Sequence, residues 1–187
     1  MTEITEYTGQ LPAPVERFIL HWGDMGGHWG VNRSVAQIHA LLYLAGRPLA
    51  ADDIAATLGM ARSNVSNSIK ELQAWNLIRR VPVRNDRRDH FEAEGDLWEM
   101  LMSIAAGRKE REIDPAVAAL RACATDAARD RTVDEIARAR LNAMLDFVNM
   151  MNAFYTQMLS VEHGKLAALV RLGARVFSLL PVRKKKV

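Results

Sequence analysis

Between Ala51 and Glu92 the order of residue types dictates a helix, a tight turn, a second helix and a basic hairpin. Asp52 to Leu58 is a short amphipathic stretch, and Gly59 follows where a turn between two helices needs positive φ. Ala61 opens the next helix, in which Ala61, Val65, Ile69 and Leu72 fall on one stripe at helical spacing and should face a core. The other face carries Ser63, Ser66, Asn67 and Lys70, with Arg62 and Asn64 on its flanks. Short polar side chains with a cation, and no bulky apolar groups, suit a helix that reaches base edges and phosphates in a major groove.

The hairpin extends this reading. Leu77 to Val83 has the β-branched content of a strand, His90 to Ala93 is its expected partner, and Arg84 to Asp89 is expected to form the tip. A basic hairpin after such a helix is the wing of a winged helix-turn-helix, and Arg84, Arg87 and Arg88 would meet phosphates or the adjacent minor groove. Seven cations and two anions between Arg62 and Arg88 give this segment +5, against +3 for the whole chain. Arg79 and Arg80 alternate along the strand, so one of them is expected to brace the wing.

At 187 residues the chain can bury one good core, or a small domain plus oligomerising helices. One cysteine, Cys123, excludes an internal disulfide framework and points to a reducing, cytoplasmic setting. Met1 to Gln10 lacks an apolar signal core, and Arg171 and Arg175 interrupt the most apolar late stretch, so no membrane partner is expected. No phosphate-binding glycine loop and no nucleophile elbow are present, so an enzyme and a cofactor are not expected.

Most of the remainder reads as helix. Pro14 starts a first helix from Val15 to about His21, and Gly23, Gly26 and Gly27 argue against its continuation. A helix from Ser34 turns Val35, Ile38, Leu41, Leu42 and Ala45 inward and ends at Gly46. After Asp96, Leu97, Met100, Leu101, Ile104 and Ala105 are expected inward. Asp114 with Pro115 signals a fresh helix start, and Thr132 with Glu135 signals a capping box for a long helix to about His163. A last helix, Lys165 to Leu180, precedes Pro181 and the basic run Arg183 to Lys186, read as a solvated terminus or a phosphate contact. The apolar residues of the last two helices exceed what a small winged domain can bury, which predicts a homodimer.

Trp29 to Leu44, Pro48-Leu49, Asp86 to Phe91 and Arg108 to Pro115 together resemble the GbsR-type branch of MarR-like transcriptional regulators, over roughly Trp22 to Arg129. Asn32 stands where that family often has proline before the arginine of the entry motif. The resemblance implies a dimeric winged-helix repressor or dual regulator, sometimes ligand-controlled, and carries DNA contact onto Ser63, Asn64, Ser66, Asn67, Lys70, Arg87 and Arg88. It also links the branch to osmolyte control. A quaternary ammonium effector held by cation–π contact would call on Trp22, Trp29, Tyr43, Trp98, Phe147 and Tyr155, although aromatics at helical spacing are more often core.

Other features have plainer readings. His21, Asp24 and His28 would share a helical face, yet two histidines and a carboxylate recur by chance, and no metal is expected. Met144, Met150, Met151 and Met158 are read as interface filling, and Cys123 as a small buried packing residue. The expected fold is mainly α with a small β-hairpin wing. Residues 1–32 are a Gly/Trp-rich dimer or effector region, 33–95 a winged helix-turn-helix, 96–180 a helical dimerisation region, and 181–187 a tail. The rival to a regulator is a winged module that docks protein or binds DNA without sequence preference.

Overall fold

Helical and alternating apolar patterns resolve into α1 (Ala13–His28), α2 (Arg33–Ala45), β1 (Leu49–Ala50), α3 (Ala51–Leu58), α4 (Arg62–Ala74), β2 (Ile78–Val83) and β3 (Asp86–Ala93). Then come α5 (Leu97–Arg108), a π-turn (Lys109–Ile113), α6 (Asp114–Arg129), α7 (Glu135–Ser160) and α8 (His163–Leu179). The computed structural model describes residues 11–179, so the expectations for the polar N-terminus and the basic tail lie outside the described residues. The chain forms two units that divide between Ile104 and Ala105.

The first unit is a winged helix. Ile38, Leu41 and Leu42 of α2, Ile54 of α3, and Val65, Ile69 and Leu72 of α4 form its core with Leu77, Ile78 and Phe91. Full burial of each such side chain stabilises by about 1.5–3 kcal/mol. Ala61 does not join this stripe; it is the exposed N-cap of α4. The sheet has one strand more than the sequence pattern announces. β1 pairs antiparallel with β3 (Leu49 with Phe91, Ala50 with His90), giving the order β1-β3-β2. Two residues are too few to show alternation.

The wing is also longer than expected. β3 begins at Asp86 and Val83 pairs with Asp86, so the turn is Arg84-Asn85 alone, with Asn85 at φ +64. Asparagine tolerates that region better than most residues. The ladder shifts between Val81 and Val83, where Pro82 has no N–H to donate and Arg87 to Asp89 bulge opposite it.

The glycine-rich stretch corrects another expectation, because α1 runs unbroken through Gly23, Gly26 and Gly27. A Cβ on Gly26 would lie 2.6 Å from Cβ of Ala36, and one on Gly23 would lie 2.6 Å from Cγ of Gln37. These two glycines let α1 lie against α2, and that packing outweighs the intrinsic penalty of glycine in a helix. Asn32 caps α2, its side chain accepting from the Ser34 N–H at 2.8 Å, a bond proline could not supply.

In α5, Asp96 accepts from the Trp98 N–H at 2.7 Å. Met100 and Ile104 pack on the core of the first unit, but Leu97 and Leu101, expected inward, are about half exposed. α6 starts at Asp114 as expected, but Asp114 is helical rather than an N-cap, because the π-turn Lys109–Ile113 runs straight into it. The Asp114 N–H donates to the Lys109 carbonyl in a π-turn, which makes room where the Pro115 ring would meet the preceding turn. Lys109 Nζ spans the turn to Asp114 Oδ1 at 2.6 Å.

The second unit is a set of helices with a thin core, in which Val117, Ala124, Ala127 and Leu166 are buried. Asp134, not Thr132, caps α7, accepting from the Ala137 N–H at 2.7 Å, while the Thr132 hydroxyl donates to Asp130. Arg138 ties the α6–α7 connection by donating to the carbonyls of Ala127, Asp130 and Val133. α7 buries no residue, leaving Ile136, Met144, Phe147, Met150, Met151 and Phe154 exposed, as are Leu169, Val170 and Leu172 of α8. Cys123 is exposed on α6 rather than packed, because the buried stripe there passes through Ala124 and Ala127.

Candidate nucleic-acid interface

α3 and α4 are joined through Gly59, at φ +63, with the Met60 N–H donating to the Ala55 carbonyl. Val65, Ser68, Ile69 and Leu72 anchor α4, which leaves Arg62, Ser63, Asn64, Ser66, Asn67 and Lys70 exposed on its outer side. No side chain caps its N-terminus, so the first-turn N–H groups stay open to an acceptor. Asn64 is not free to swing, because its Nδ2 donates to Ser34 Oγ of α2 at 2.9 Å. Arg62 pairs with Asp52 of α3 at 3.0 Å.

The cations of the wing divide into braced and open. Arg79 pairs with Glu92 at 2.8 Å across the ladder, and Arg80 pairs with Asp89. Both strand arginines therefore brace the hairpin, where the alternation suggested one. Arg88 donates from Nε and Nη2 to the Asp86 carboxylate and from Nη1 to Asp53 Oδ1 at 2.9 Å, which links wing to α3. The Arg88 side-chain hydrogen bond, helped by its backbone N–H, holds Asp86 down at about 2, and the two carboxylates raise Arg88 further. The remaining N–H groups of the fork are left fixed in direction.

Among the described residues, Lys70, Arg84 and Arg87 have no carboxylate in ion-pair distance, and all three are exposed. The segment's formal excess is therefore carried by a few open side chains, one on α4 and two in the wing. Residue spacing does not point to Asp53, Ser34 or His90 at this site. Only Asp86-x-Arg88 carried a local signal; Asp53 lies 35 residues from Arg88 in the chain.

Of the aromatic side chains proposed as an effector cage, four lie in the first unit and two in the second. Trp22 stacks on Phe18 at 5.6 Å in the first unit, which also holds Tyr43, Trp98 and the exposed Trp29. In the second unit Tyr155 donates its hydroxyl to the Ala105 carbonyl at 3.0 Å, and Phe147 is exposed. A cleft of about 570 Å³ there is lined by Phe154, Met158, Leu166, Leu169 and Val170 instead. His21, Asp24 and His28 do share helix α1, but Asp24 pairs with Arg33 at 3.3 Å. Among the described residues no three His, Cys, Asp or Glu side chains are grouped to hold a metal ion.

This geometry can be set beside known proteins. Residues 29–89 match the MarR family model. The match runs from the turn before α2 to the wing, and so falls within the first unit. The HTH-type transcriptional repressor GbsR of Bacillus subtilis (strain 168) is 24% identical over 160 residues, covering 84% of this chain and 85% of that protein. A solved structure described as a transcriptional regulator superposes with a TM-score of 0.59 at 18% identity, covering 78% of this chain and 95% of that one. At that identity the likeness is one of fold. No helix among the described residues is long and apolar enough to cross a membrane.

Proposed function

We propose that this protein is a sequence-specific transcriptional regulator that binds duplex DNA as a homodimer. α4 enters the major groove, and the wing holds the flanking backbone or minor groove. The observation that carries the reading is the division of α4: Val65, Ile69 and Leu72 lock one side into the core, while Ser63, Ser66, Asn67 and Lys70 are exposed, as are Arg84 and Arg87 of the wing. Base-edge readout belongs to Asn67 and its neighbours, and backbone contact to Lys70, Arg84 and Arg87. Arg88, fixed by Asp86 and Asp53, presents its remaining N–H groups from a set position. Repression is the sign of regulation proposed, after the name of the Bacillus subtilis relative. Ligand control draws no support from the placement of the six aromatic residues.

The homodimer is supported by the apolar side chains that α7 and α8 leave exposed, Phe147, Phe154, Leu169 and Val170 among them. Monomeric proteins rarely leave contiguous apolar surface of this kind in water. A dimer would present two α4 helices to half-sites about 34 Å apart.

Fluorescence anisotropy with a duplex from upstream of the protein's own gene, and with a scrambled duplex, tests the reading at physiological salt. A preference for the upstream duplex is expected. Asn67→Ala should change sequence preference at a cost of about 1–3 kcal/mol. Arg87→Ala should weaken all duplexes alike and lower the salt slope by about one. Equal, salt-sensitive affinity for both duplexes would overturn sequence-specific regulation. A species of 20.9 kDa in sedimentation at micromolar concentration would remove the dimer.

A further inference from the structure

β3 is the central strand of the sheet, and His90 is buried in it beneath the wing. Each ring nitrogen meets an oxygen: Nδ1 lies 2.9 Å from the Arg88 carbonyl, and Nε2 lies 3.4 Å from Oδ2 of Asp86. A carbonyl and an ionised carboxylate can only accept. A neutral imidazole carries a single N–H, so one tautomer turns a lone pair toward Asp86 and the other turns one toward the Arg88 carbonyl. Only the doubly protonated ring donates at both positions.

We propose that His90 is a proton-operated positioning residue of the wing. As an imidazolium it donates to Asp86 and to the Arg88 carbonyl, and so steadies the carboxylate that orients the Arg88 fork toward Asp53. When one proton leaves, a lone pair faces an oxygen, His90 or Asp86 turns away, and the link from wing to α3 loosens. DNA affinity should then fall as pH rises. That consequence rests on the DNA-binding reading above; the protonation of the ring does not.

The surroundings isolate this group. Of the elements packed on β3, α3 brings Asp52 and Asp53, paired with Arg62 and Arg88, and β1 brings no titratable residue. β2 brings Arg79 and Arg80, paired with Glu92 and Asp89 of β3 itself, where Arg87 is the remaining charge. α2 brings Arg33, paired with Asp24, together with Tyr43 and His39. Burial holds His39 down at about 4, so it stays neutral where an ordinary imidazole titrates.

The test uses the full chain. Ring-nitrogen and amide NMR spectra are recorded without DNA from pH ~5.5 to ~8, the range in which histidine changes charge. Both His90 nitrogens should be protonated at the low end and one at the high end, with the Arg88 and Asp53 amides moving on the same curve. Affinity for the upstream duplex should fall about tenfold across this range and stay flat in His90→Gln. Asp86→Asn, which keeps the histidine and the shape of the site, should flatten it as well. A ring that stays singly protonated throughout would overturn the proposal. So would a ring titration that leaves the Arg88 and Asp53 amides unmoved, or an unchanged affinity slope in His90→Gln. If the ring and amides titrate together but no duplex binds at any pH, the brace stands and the DNA reading fails.

Discussion

The two units solve the problem of burying apolar surface in opposite ways. In residues 11–104 every helix from α1 to α4 has a partner within the unit, and Ile38, Ile54 and Val65 are fully shielded from water. In residues 105–179 the longest helix, α7, buries nothing, and Phe147 and Phe154 are 56% and 62% exposed. The first unit buries its apolar side chains within one chain, whereas α7 and α8 leave many of theirs exposed, the surface that the proposed homodimer would cover. The lesson concerns mutation: equal chemical insults should unfold one unit and only dissociate the other.

The sharpest form of that contrast pairs Val65→Asp with Phe147→Asp. An unpaired carboxylate at Val65 has no water to retreat to, and a loss of more than about 4 kcal/mol should unfold the winged unit. At Phe147 the new charge is already solvated, so thermal unfolding of the winged unit should hold while sedimentation shifts toward monomer. Circular dichroism melts that fall equally for both would erase the distinction between the units.

Acid should also separate them. Burial holds His39 of α2 near 4, below the ordinary 6.5, so the unfolded chain takes up the proton first. Stability is therefore complete above pH 6.5 and is lost as pH falls toward 4. The largest loss is about 3 kcal/mol, from the value of a pKa unit. His39→Leu should remove this slope in urea titrations followed by Trp75 and Trp22 fluorescence, and an unchanged slope would show that another group carries it.

The smallest effects come from neighbouring glycines in α1. Gly26→Ala brings Cβ to 2.6 Å from Cβ of Ala36 and should destabilise by about 1–3 kcal/mol. Gly27→Ala meets nothing within 4 Å and should stabilise by up to about 1 kcal/mol through helix propensity. Melting curves that move in the same direction for both would refute the close-approach role of Gly26.

How much of this was legible depended on the distance between cause and effect along the chain. The buried and open sides of α4 could be read from spacing alone, because Val65, Ile69 and Leu72 repeat with the helix. The open cations could not be separated from the bracing ones, since Asp53, Asp89 and Glu92 reach their arginines only after the sheet forms. The glycines of α1 were misread because the side chains that require them, Ala36 and Gln37, belong to another helix. Asp114-Pro115 marks the start of α6 but gives no sign of the π-turn before it, since a proline at the head of a separate helix and one that follows a π-turn carry the same residues. Leu97 and Leu101 have the spacing of a buried stripe without the burial.

The three glycines of α1 also tie that helix's persistence to its neighbour. A segment so poor in intrinsic helicity depends on its packing against α2 to hold its coil. The same dependence acts when the molecule breathes. α1 should peel away as a unit before the rest of its domain opens, and its amides should be the first of the winged unit to exchange with solvent.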